Sequence, residues 1–207
     1  MKPECILAFD TSAAHCAAAL LLGDRVILRR EEMQKGQAER LMPLLEEVLA
    51  EGGLGWADLT ALAVGTGPGN FTGVRIAVAA ARGLALGLGI PAIGVTRLEA
   101  VAHGLPRPIS VIEDARRDQV YVQGFADGPD TARLADAENP GPLYELRTGS
   151  AAGPAALPPA MALVEAIARI AATRTNAPRP APFYLRGADA APPSDPPPTI
   201  LPDPVSA

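Results

Sequence analysis

A glycine-rich segment between a buried strand and a long helix constrains the fold of this chain more than any other feature. The apolar run 62–64 predicts a buried strand, and the next nine residues read Gly-Thr-Gly-Pro-Gly-Asn-Phe-Thr-Gly. A helix rich in alanine and leucine is predicted over 72–88. Because glycine permits positive φ angles and close backbone approach, the segment predicts a tight connection between strand and helix. Such units are typical of α/β domains.

The residues around this unit predict the rest of an α/β half-domain. Three short apolar runs, 6–9, 17–22 and 26–28, are separated by turn signals and predict an antiparallel meander. Residues 37–51 carry leucine and valine at helical spacing, and Gly52-Gly53 ends that helix. Another strand is predicted over 90–95. The first 100 residues therefore alternate strands and helices.

The second half of the chain repeats this pattern more weakly. Strands are predicted at 110–112 and 119–125, a region of mostly loop over 128–159, and a helix over 160–172. Ten of the 32 residues from 176 onward are proline, which predicts a loose tail around an ordered Phe-Tyr-Leu-Arg motif. We therefore predict three parts: a first lobe at 1–103, a smaller lobe at 104–175, and a proline-rich segment at 176–207.

Charge and composition limit the classes of function. The net charge of −5 argues against nucleic-acid binding by this chain alone, because phosphate contacts need a basic surface. Cys5 and Cys16 have neither CxxC nor zinc spacing. The N-terminus lacks the pattern of a signal peptide, and Arg75 and Arg82 interrupt the most hydrophobic helix. We expect a cytoplasmic protein with no membrane span.

Two segments are candidates for phosphate binding, and each has a structural alternative. An acid and two hydroxyls follow the first strand, and the glycine-rich segment opens a helix whose N-terminus attracts anions. The candidate phosphate-binding residues are Asp10, Thr11, Ser12, Gly67 and Gly69. The segment is neither a Walker A loop nor a Rossmann loop. Neither segment requires a ligand. A hairpin turn explains the residues after the first strand, and a tight turn that packs the helix on the sheet explains the glycine-rich segment.

Several motifs together resemble the TsaB/TsaD family, formerly called M22 glycoprotease-like. They are Ile-Leu-Ala-Phe-Asp-Thr-Ser at 6–12, the glycine-rich segment 65–75, Gln-Ala-Glu-Arg-Leu-Met-Pro-Leu at 37–44, Ile-Gly-Val-Thr-Arg-Leu-Glu-Ala at 93–100, Asp-Ala-Arg-Arg-Asp-Gln-Val-Tyr at 114–121, and Tyr-Leu-Arg at 184–186. Gln37 stands where TsaB proteins commonly have histidine. The resemblance implies a two-lobed actin/Hsp70/sugar-kinase fold, ribonuclease H-like, with a reduced second lobe.

Within that family the chain looks like TsaB and not like the catalytic TsaD. Arg97 and Val101 stand where TsaD carries the two histidines of its metal site, and fewer residues follow than in TsaD. The resemblance therefore implies a pseudo-enzyme with no catalytic residue, no metal and no cofactor. It also implies a non-catalytic partner subunit that binds and activates TsaD for threonylcarbamoyl transfer to the tRNA adenosine beside the anticodon.

The same resemblance predicts partners and an interface. TsaD would form a heterodimer with the chain, TsaE would join it, TsaC would act upstream, and tRNA would bind only through the complex. Two apolar helices on one sheet face could form a four-helix bundle with TsaD, or with a second copy in a homodimer. The predicted interface residues are Leu41, Leu44, Leu45, Val48, Ala77, Ala81 and Leu84.

Two other functions stay open on the residues alone. The Asp-Thr-Ser turn also fits an ATP-dependent enzyme of the same superfamily, such as a kinase or ATPase. A metallopeptidase is the older label of the family, but the sequence contains no His-Glu-x-x-His motif. Nucleotide turnover by the lone chain would favour the enzyme.

Overall fold

The computed structural model describes residues 5–174 and 177–186, which form two sheets and four α-helices. The first sheet contains β1 (Cys5–Asp10), β2 (His15–Leu22), β3 (Arg25–Glu32), β4 (Ala61–Gly65) and β5 (Ala92–Val95). Its strand order is β3-β2-β1-β4-β5, with β1, β4 and β5 parallel and β2 antiparallel to both neighbours. The predicted meander and the buried strand before the glycines are confirmed.

Helices α1 (Gln37–Glu51) and α2 (Phe71–Leu88) cover one face of the first sheet. The apolar stripe of α1 packs mainly on β2, while α2 packs on β4 and its neighbours. The side chain of Asn70 caps α2 by accepting a hydrogen bond from the Gly73 amide at 2.9 Å. The glycine-rich segment thus ends in a capped helix, as the sequence predicted.

Helix α4 (Leu163–Ala172) lies on the opposite face of the first sheet, and helix α3 (Arg97–Ala102) packs against α4. The predicted division assigned α4 to the smaller lobe, but the structure packs it against β1 and β2 of the first sheet. The reason is steric, because Ala8, Ala17 and Ala19 line that face and leave room for the alanine-rich side of α4. A short, apolar helix therefore completes the first lobe from far along the chain.

The second sheet is smaller and contains β6 (Ile109–Asp114), β7 (Gln119–Phe125), β8 (Arg133–Asp136) and β9 (Leu146–Thr148), in the order β8-β7-β6-β9. Helix α3 packs on it through Leu98 and Val101. The prediction of mostly loop over 128–159 missed β8 and β9. Both are edge strands of three or four mostly exposed or half-exposed residues, so they carry no hydrophobic alternation.

Helix α2 is unusual for a helix that packs on a sheet. By length and composition alone it is apolar enough to cross a membrane, yet only 28% of its residues are buried. The same helix is capped by Asn70 and contributes Val74, Ala77, Val78 and Ala81 to the core. One side of α2 therefore packs in the core, while much of its remaining apolar surface is exposed or half-buried.

Candidate functional site: a filled junction and an exposed helix face

The Asp-Thr-Ser turn follows directly after β1, and its polar groups are buried. One oxygen of Asp10, Oδ1, accepts hydrogen bonds from the Ser12 amide at 3.0 Å and the Ser12 hydroxyl at 2.9 Å. The same oxygen lies 2.8 Å from Nε2 of His15. Sequence analysis missed His15, although the hairpin signal was present: Asp10 ends β1 and His15 begins the strand that pairs with it.

The glycine-rich segment packs directly on this turn. The Thr11 hydroxyl donates to the Gly73 carbonyl at 2.7 Å, and the Asn70 amide donates to the Ser12 carbonyl at 2.6 Å. A Cβ atom at Gly69 would overlap the Ser12 backbone, and one at Gly73 would overlap the Thr11 carbonyl. These glycines are therefore explained by close backbone approach.

These contacts bear on the predicted phosphate site. The side chains of Asp10, Thr11 and Ser12 are at most 1% exposed and bond to the protein itself. Gly67 lies beside them with a positive φ angle, and its carbonyl accepts the Arg97 amide at 2.7 Å. The arrangement supports the structural interpretation of the two segments, and phosphate binding stays a prediction.

Arg97 joins the first lobe to the second sheet. Its Nε donates to Oε2 of Glu113 on β6 at 2.6 Å, and the Glu113 side chain is 6% exposed. Although burial lowers the pKa of Arg97, the charges of Glu113 and Asp10 raise it above its ordinary value. A fixed guanidinium thus stands between two buried carboxylates, at the position where the resemblance places a metal-binding histidine in TsaD. We call Asp10, Thr11, Ser12, Arg97 and Glu113 the junction.

Residues 177–186 run as a strap from the first sheet and α2 to the turn between β6 and β7. The Phe183 amide donates to the Thr66 carbonyl at 2.8 Å. The Tyr184 hydroxyl accepts from Arg75 of α2 at 2.9 Å, and its ring stacks on Phe71 with 5.3 Å between centroids. The motif 184–186 therefore contacts the motif 65–75. Through Arg186 it also contacts the motif 114–121, so three motifs far apart in sequence meet.

The last strap residue fixes the turn between β6 and β7. Arg186 donates to the Ala115 carbonyl at 2.9 Å and to Oε1 of Gln119 at 2.7 Å. Arg116 and the two residues after it have positive φ angles, which are uncommon outside glycine. The Tyr-Leu-Arg motif thus holds the Asp-Ala-Arg-Arg motif in a left-handed turn.

The charge on Asp10 should make the protein sensitive to acid. Burial by itself raises the pKa of Asp10, but the hydrogen bond and charge of His15, with Arg97 and the Ser12 amide, hold it below its ordinary value. A lowered pKa stabilises the fold above the unfolded value of about 3.9, and this contribution is lost as the pH falls through the folded value. We expect Asp10→Asn to lose about 2 kcal/mol at pH 7 and less at pH 3.

Urea denaturation at pH 7, 5, 4 and 3 measures this. The difference in unfolding free energy between the wild type and Asp10→Asn should shrink below pH 4. Asp24→Asn is the control, since its side chain is exposed at the β2–β3 turn. A difference that stays constant from pH 7 to pH 3 would show that the pKa of Asp10 is not lowered in the fold.

The potential metal ligands within residues 5–174 and 177–186 are dispersed. No group of three or more histidine, cysteine, aspartate or glutamate side chains comes together in that part of the chain. Burial lowers the pKa of His103 at the end of α3, and it raises the pKa of the Cys16 thiol to about 11. The Cys16 thiol is therefore protonated at neutral pH and buried in the first core.

The predicted interface residues need a correction. Six of the seven have exposed fractions of 0–1%, so no surface remains on them for a partner: Leu41, Leu44, Leu45, Val48, Ala77 and Ala81. They fill the space between the two helices and the first sheet. The seventh, Leu84, is half-buried against the same core. The prediction was wrong for the six because helical spacing identifies the apolar stripe of a helix but not which layer covers it.

The surface that α2 leaves uncovered is largely apolar, although it also carries the exposed side chains of Arg75 and Arg82. Its residues are Thr72, Ile76, Ala79, Ala80, Gly83, Leu86 and Gly87, all exposed or half-buried, and together we call them the outer face of α2. Leu86 is 76% exposed. A Cβ atom at Gly83 or Gly87 would meet nothing within 4 Å. An exposed surface of this kind is typical of an interaction site.

Comparison with solved structures defines the class of protein. YeaZ from Pseudomonas aeruginosa superimposes with a TM-score of 0.73 and 27% identity, covering 88% of this chain and all of that one. A second Pseudomonas aeruginosa structure, described as similar to peptidase YEAZ, gives 0.75 and 26% identity over the same share. The chain has the two-lobed actin/Hsp70/sugar-kinase fold with a reduced second lobe, as the resemblance implied.

Sequence comparisons define the family. The family model described as TsaD, tRNA N6-adenosine threonylcarbamoyltransferase, matches residues 29–153, more than half of the chain. The tRNA threonylcarbamoyladenosine biosynthesis protein TsaB of Haemophilus influenzae is 39% identical over 127 residues, which are 58% of this chain and 53% of that protein. The uncharacterized protein Mb3455c of Mycobacterium bovis is 35% identical over 203 residues, 90% of this chain and 94% of its own.

The chain belongs to the TsaB/YeaZ family. It spans about half the length of the curated TsaB relatives that it matches, with 53% and 52% covered in the Haemophilus influenzae and Escherichia coli proteins.

Proposed function

We propose that this chain is a non-catalytic partner subunit in tRNA modification, which binds TsaD and activates it for threonylcarbamoyl transfer. TsaD would modify the tRNA adenosine beside the anticodon, and the chain would act with it in the cytoplasm. The names of the relatives support the pathway. The observation that carries the partner role is the outer face of α2.

The outer face has the shape that a helix–helix contact needs. Gly83 and Gly87 have no side chain, and no atom lies within 4 Å of where their Cβ atoms would be. The helix surface is therefore flat at these two positions. Because the distance between packed helices depends on the side chains at the contact, small residues permit a close approach. Leu86 lies next to these two glycines, and its large apolar side chain is 76% exposed. A partner that covered this side chain would remove its apolar surface from water, which favours association.

Helix α1 extends this surface. It lies beside α2 on the same sheet face and exposes Met42, whose exposed fraction is 37%. Two adjacent helices with apolar outer residues can form a four-helix bundle with a matching pair. A related subunit such as TsaD would supply that pair, and a second copy of the chain would do so when it is alone.

The non-catalytic part of the proposal rests on the junction. A nucleotide-using enzyme of this fold needs free acid and hydroxyl groups where the first strand ends. Here Asp10, Thr11 and Ser12 bond to His15, to Gly73 and to one another. Arg97 brings a fixed positive charge to the same place. These contacts favour a partner role over an ATP-dependent enzyme. TsaE and TsaC belong to the proposal through the resemblance alone.

The partner role is tested with Gly83→Arg. The substitution places a long charged side chain in the middle of the outer face, and it favours the helix because arginine is a better helix former than glycine. We expect the variant to fold normally and to bind TsaD from the same genome at least about 10-fold more weakly. Titration calorimetry with purified TsaD measures the affinity.

Ala155→Arg is the matched control, because Ala155 is exposed in the second lobe and away from both helices. It should bind TsaD like the wild type. Circular dichroism and thermal unfolding confirm that all three proteins are folded. Equal affinity of Gly83→Arg and the wild type would exclude the outer face of α2 as the docking surface, and absence of binding by the wild type would refute the partner role itself.

A further inference from the structure

A groove of about 320 Å³ runs along the C-terminal half of α2, between that helix and the strap. Its floor is apolar and includes Leu86, Ile90 and Pro91. Arg82 lines it from α2, one helical turn before Leu86, and Arg179 lines it from the strap. The groove therefore combines an apolar floor with two cationic side chains from different parts of the chain.

The two arginines differ from most others in this protein. Arg29, Arg40, Arg97, Arg169 and Arg174 each form an ion pair with a glutamate. Within residues 5–174 and 177–186, neither Arg82 nor Arg179 has a side-chain hydrogen bond or an ion pair. In a chain of net charge −5, carboxylates are plentiful, yet none is placed here.

None of the residues that line the groove is acidic, so an anion is the kind of ligand that its two arginines favour. Arg82 and Arg179 are both exposed and have no carboxylate partner among the described residues, so a carboxylate that enters the groove can accept hydrogen bonds from their guanidinium groups. The apolar floor beside them favours a ligand that also carries an aliphatic or aromatic group. A polypeptide segment with an acidic residue next to an apolar one has both properties.

The position of the groove indicates where such a segment would come from. Leu86 belongs both to the groove and to the outer face of α2, so the two surfaces are continuous. A subunit docked on α2 would therefore extend over the groove. A nucleic acid fits less well, because the remainder of the chain is acidic and repels phosphate.

We propose that the groove receives an acidic segment of the partner subunit, with a carboxylate held by Arg82 and Arg179 and an apolar side chain on the floor. This inference rests on the proposed function and deepens it. The outer face of α2 supplies the area of the contact, and the groove supplies electrostatic complementarity, which acts mainly on the rate of association and on its salt dependence.

The test uses the full chain with charge-reversed variants and purified TsaD as the probe. Arg82→Glu/Arg179→Glu should associate with TsaD about 10-fold more slowly at low salt, and its rate should depend less on salt than that of the wild type. Arg25→Glu is the matched control, because the Arg25 side chain is likewise unpaired in the described part of the chain and begins β3. It should associate within about 2-fold of the wild type.

Each outcome separates the inference from the proposed function. No binding of TsaD by the wild type would refute the proposed function. Wild-type binding with unchanged rate and salt dependence in the double variant would overturn the inference and leave the proposed function standing. The chain alone provides two further readouts: a homodimer lost in the double variant would assign the groove to a second copy, and tRNA binding lost in that variant would assign it to RNA. Either result would overturn the acidic partner segment.

Discussion

Replacing Gly73 with alanine is expected to lower the free energy of unfolding by about 3 kcal/mol, because the added methyl group has no space. Its Cβ would overlap the carbonyl of Thr11, which belongs to the backbone and cannot rotate away. The Thr11 hydroxyl also donates to the Gly73 carbonyl, so any shift of α2 would stretch that buried bond. Urea denaturation at pH 7 measures the loss from the midpoint and slope.

Gly83→Ala is the control for this prediction. Gly83 lies in the same helix, but a Cβ atom there meets nothing within 4 Å. Alanine should stabilise the isolated chain by about 0.5–1 kcal/mol through its helix propensity. Similar effects at both positions would contradict the close contact between α2 and the Thr11 turn.

Replacing Arg97 with methionine is expected to cost about 2–3 kcal/mol, because it leaves the Glu113 carboxylate buried without its positive partner. Glu113 is 6% exposed, and its other oxygen accepts from the Ser150 amide at 2.8 Å, so the carboxylate cannot move into water. The Arg97 side chain is 24% exposed, which places the expected cost below that of a fully buried pair. The same loss would loosen the contact between the first lobe and β6.

Two further variants separate the ion pair from general packing. Arg97→Met/Glu113→Gln should recover part of the loss, because it removes the unpaired buried charge. Arg30→Met removes an exposed pair with Glu32 and should cost less than about 1 kcal/mol. A double variant no more stable than Arg97→Met alone would show that the charge pair is not the cause.

Much of the fold could be predicted from local patterns. The helix 37–51 has the predicted bounds, and the three-strand meander lies where turn signals placed it. These elements carry clear periodicity and clear stops. The strands β8 and β9 were missed since they are short and held at sheet edges by pairing with β7 and β6. Tertiary pairing of this kind leaves little trace in local sequence.

The site was harder to predict than the fold. The motifs of the Asp-Thr-Ser turn and the glycine-rich segment do meet, but as backbone contacts that fill the junction. Arg97 was identified by its position, while its ion pair with Glu113, which joins α3 to β6, could not be read from spacing. The residues predicted for the interface lie on α1 and α2 but face the sheet, because composition does not show which side of an apolar helix a sheet covers.

These features give one physical account of the chain. The groups that an enzyme of this fold would present to a ligand bond to one another at the junction. The apolar surface lies elsewhere, on the outer face of α2, where Leu86 and its small neighbours are exposed. A protein with a filled junction and an open helix face is suited to stabilise another subunit.

The central claim is tested most directly by measuring threonylcarbamoyladenosine in tRNA after incubation with TsaD, TsaE and TsaC from the same genome, with and without this chain. The account predicts that modification needs the chain, that it is strongly reduced with Gly83→Arg, and that it is retained with Ala155→Arg. Equal modification with and without the chain, or ATP turnover by the purified chain alone, would contradict it.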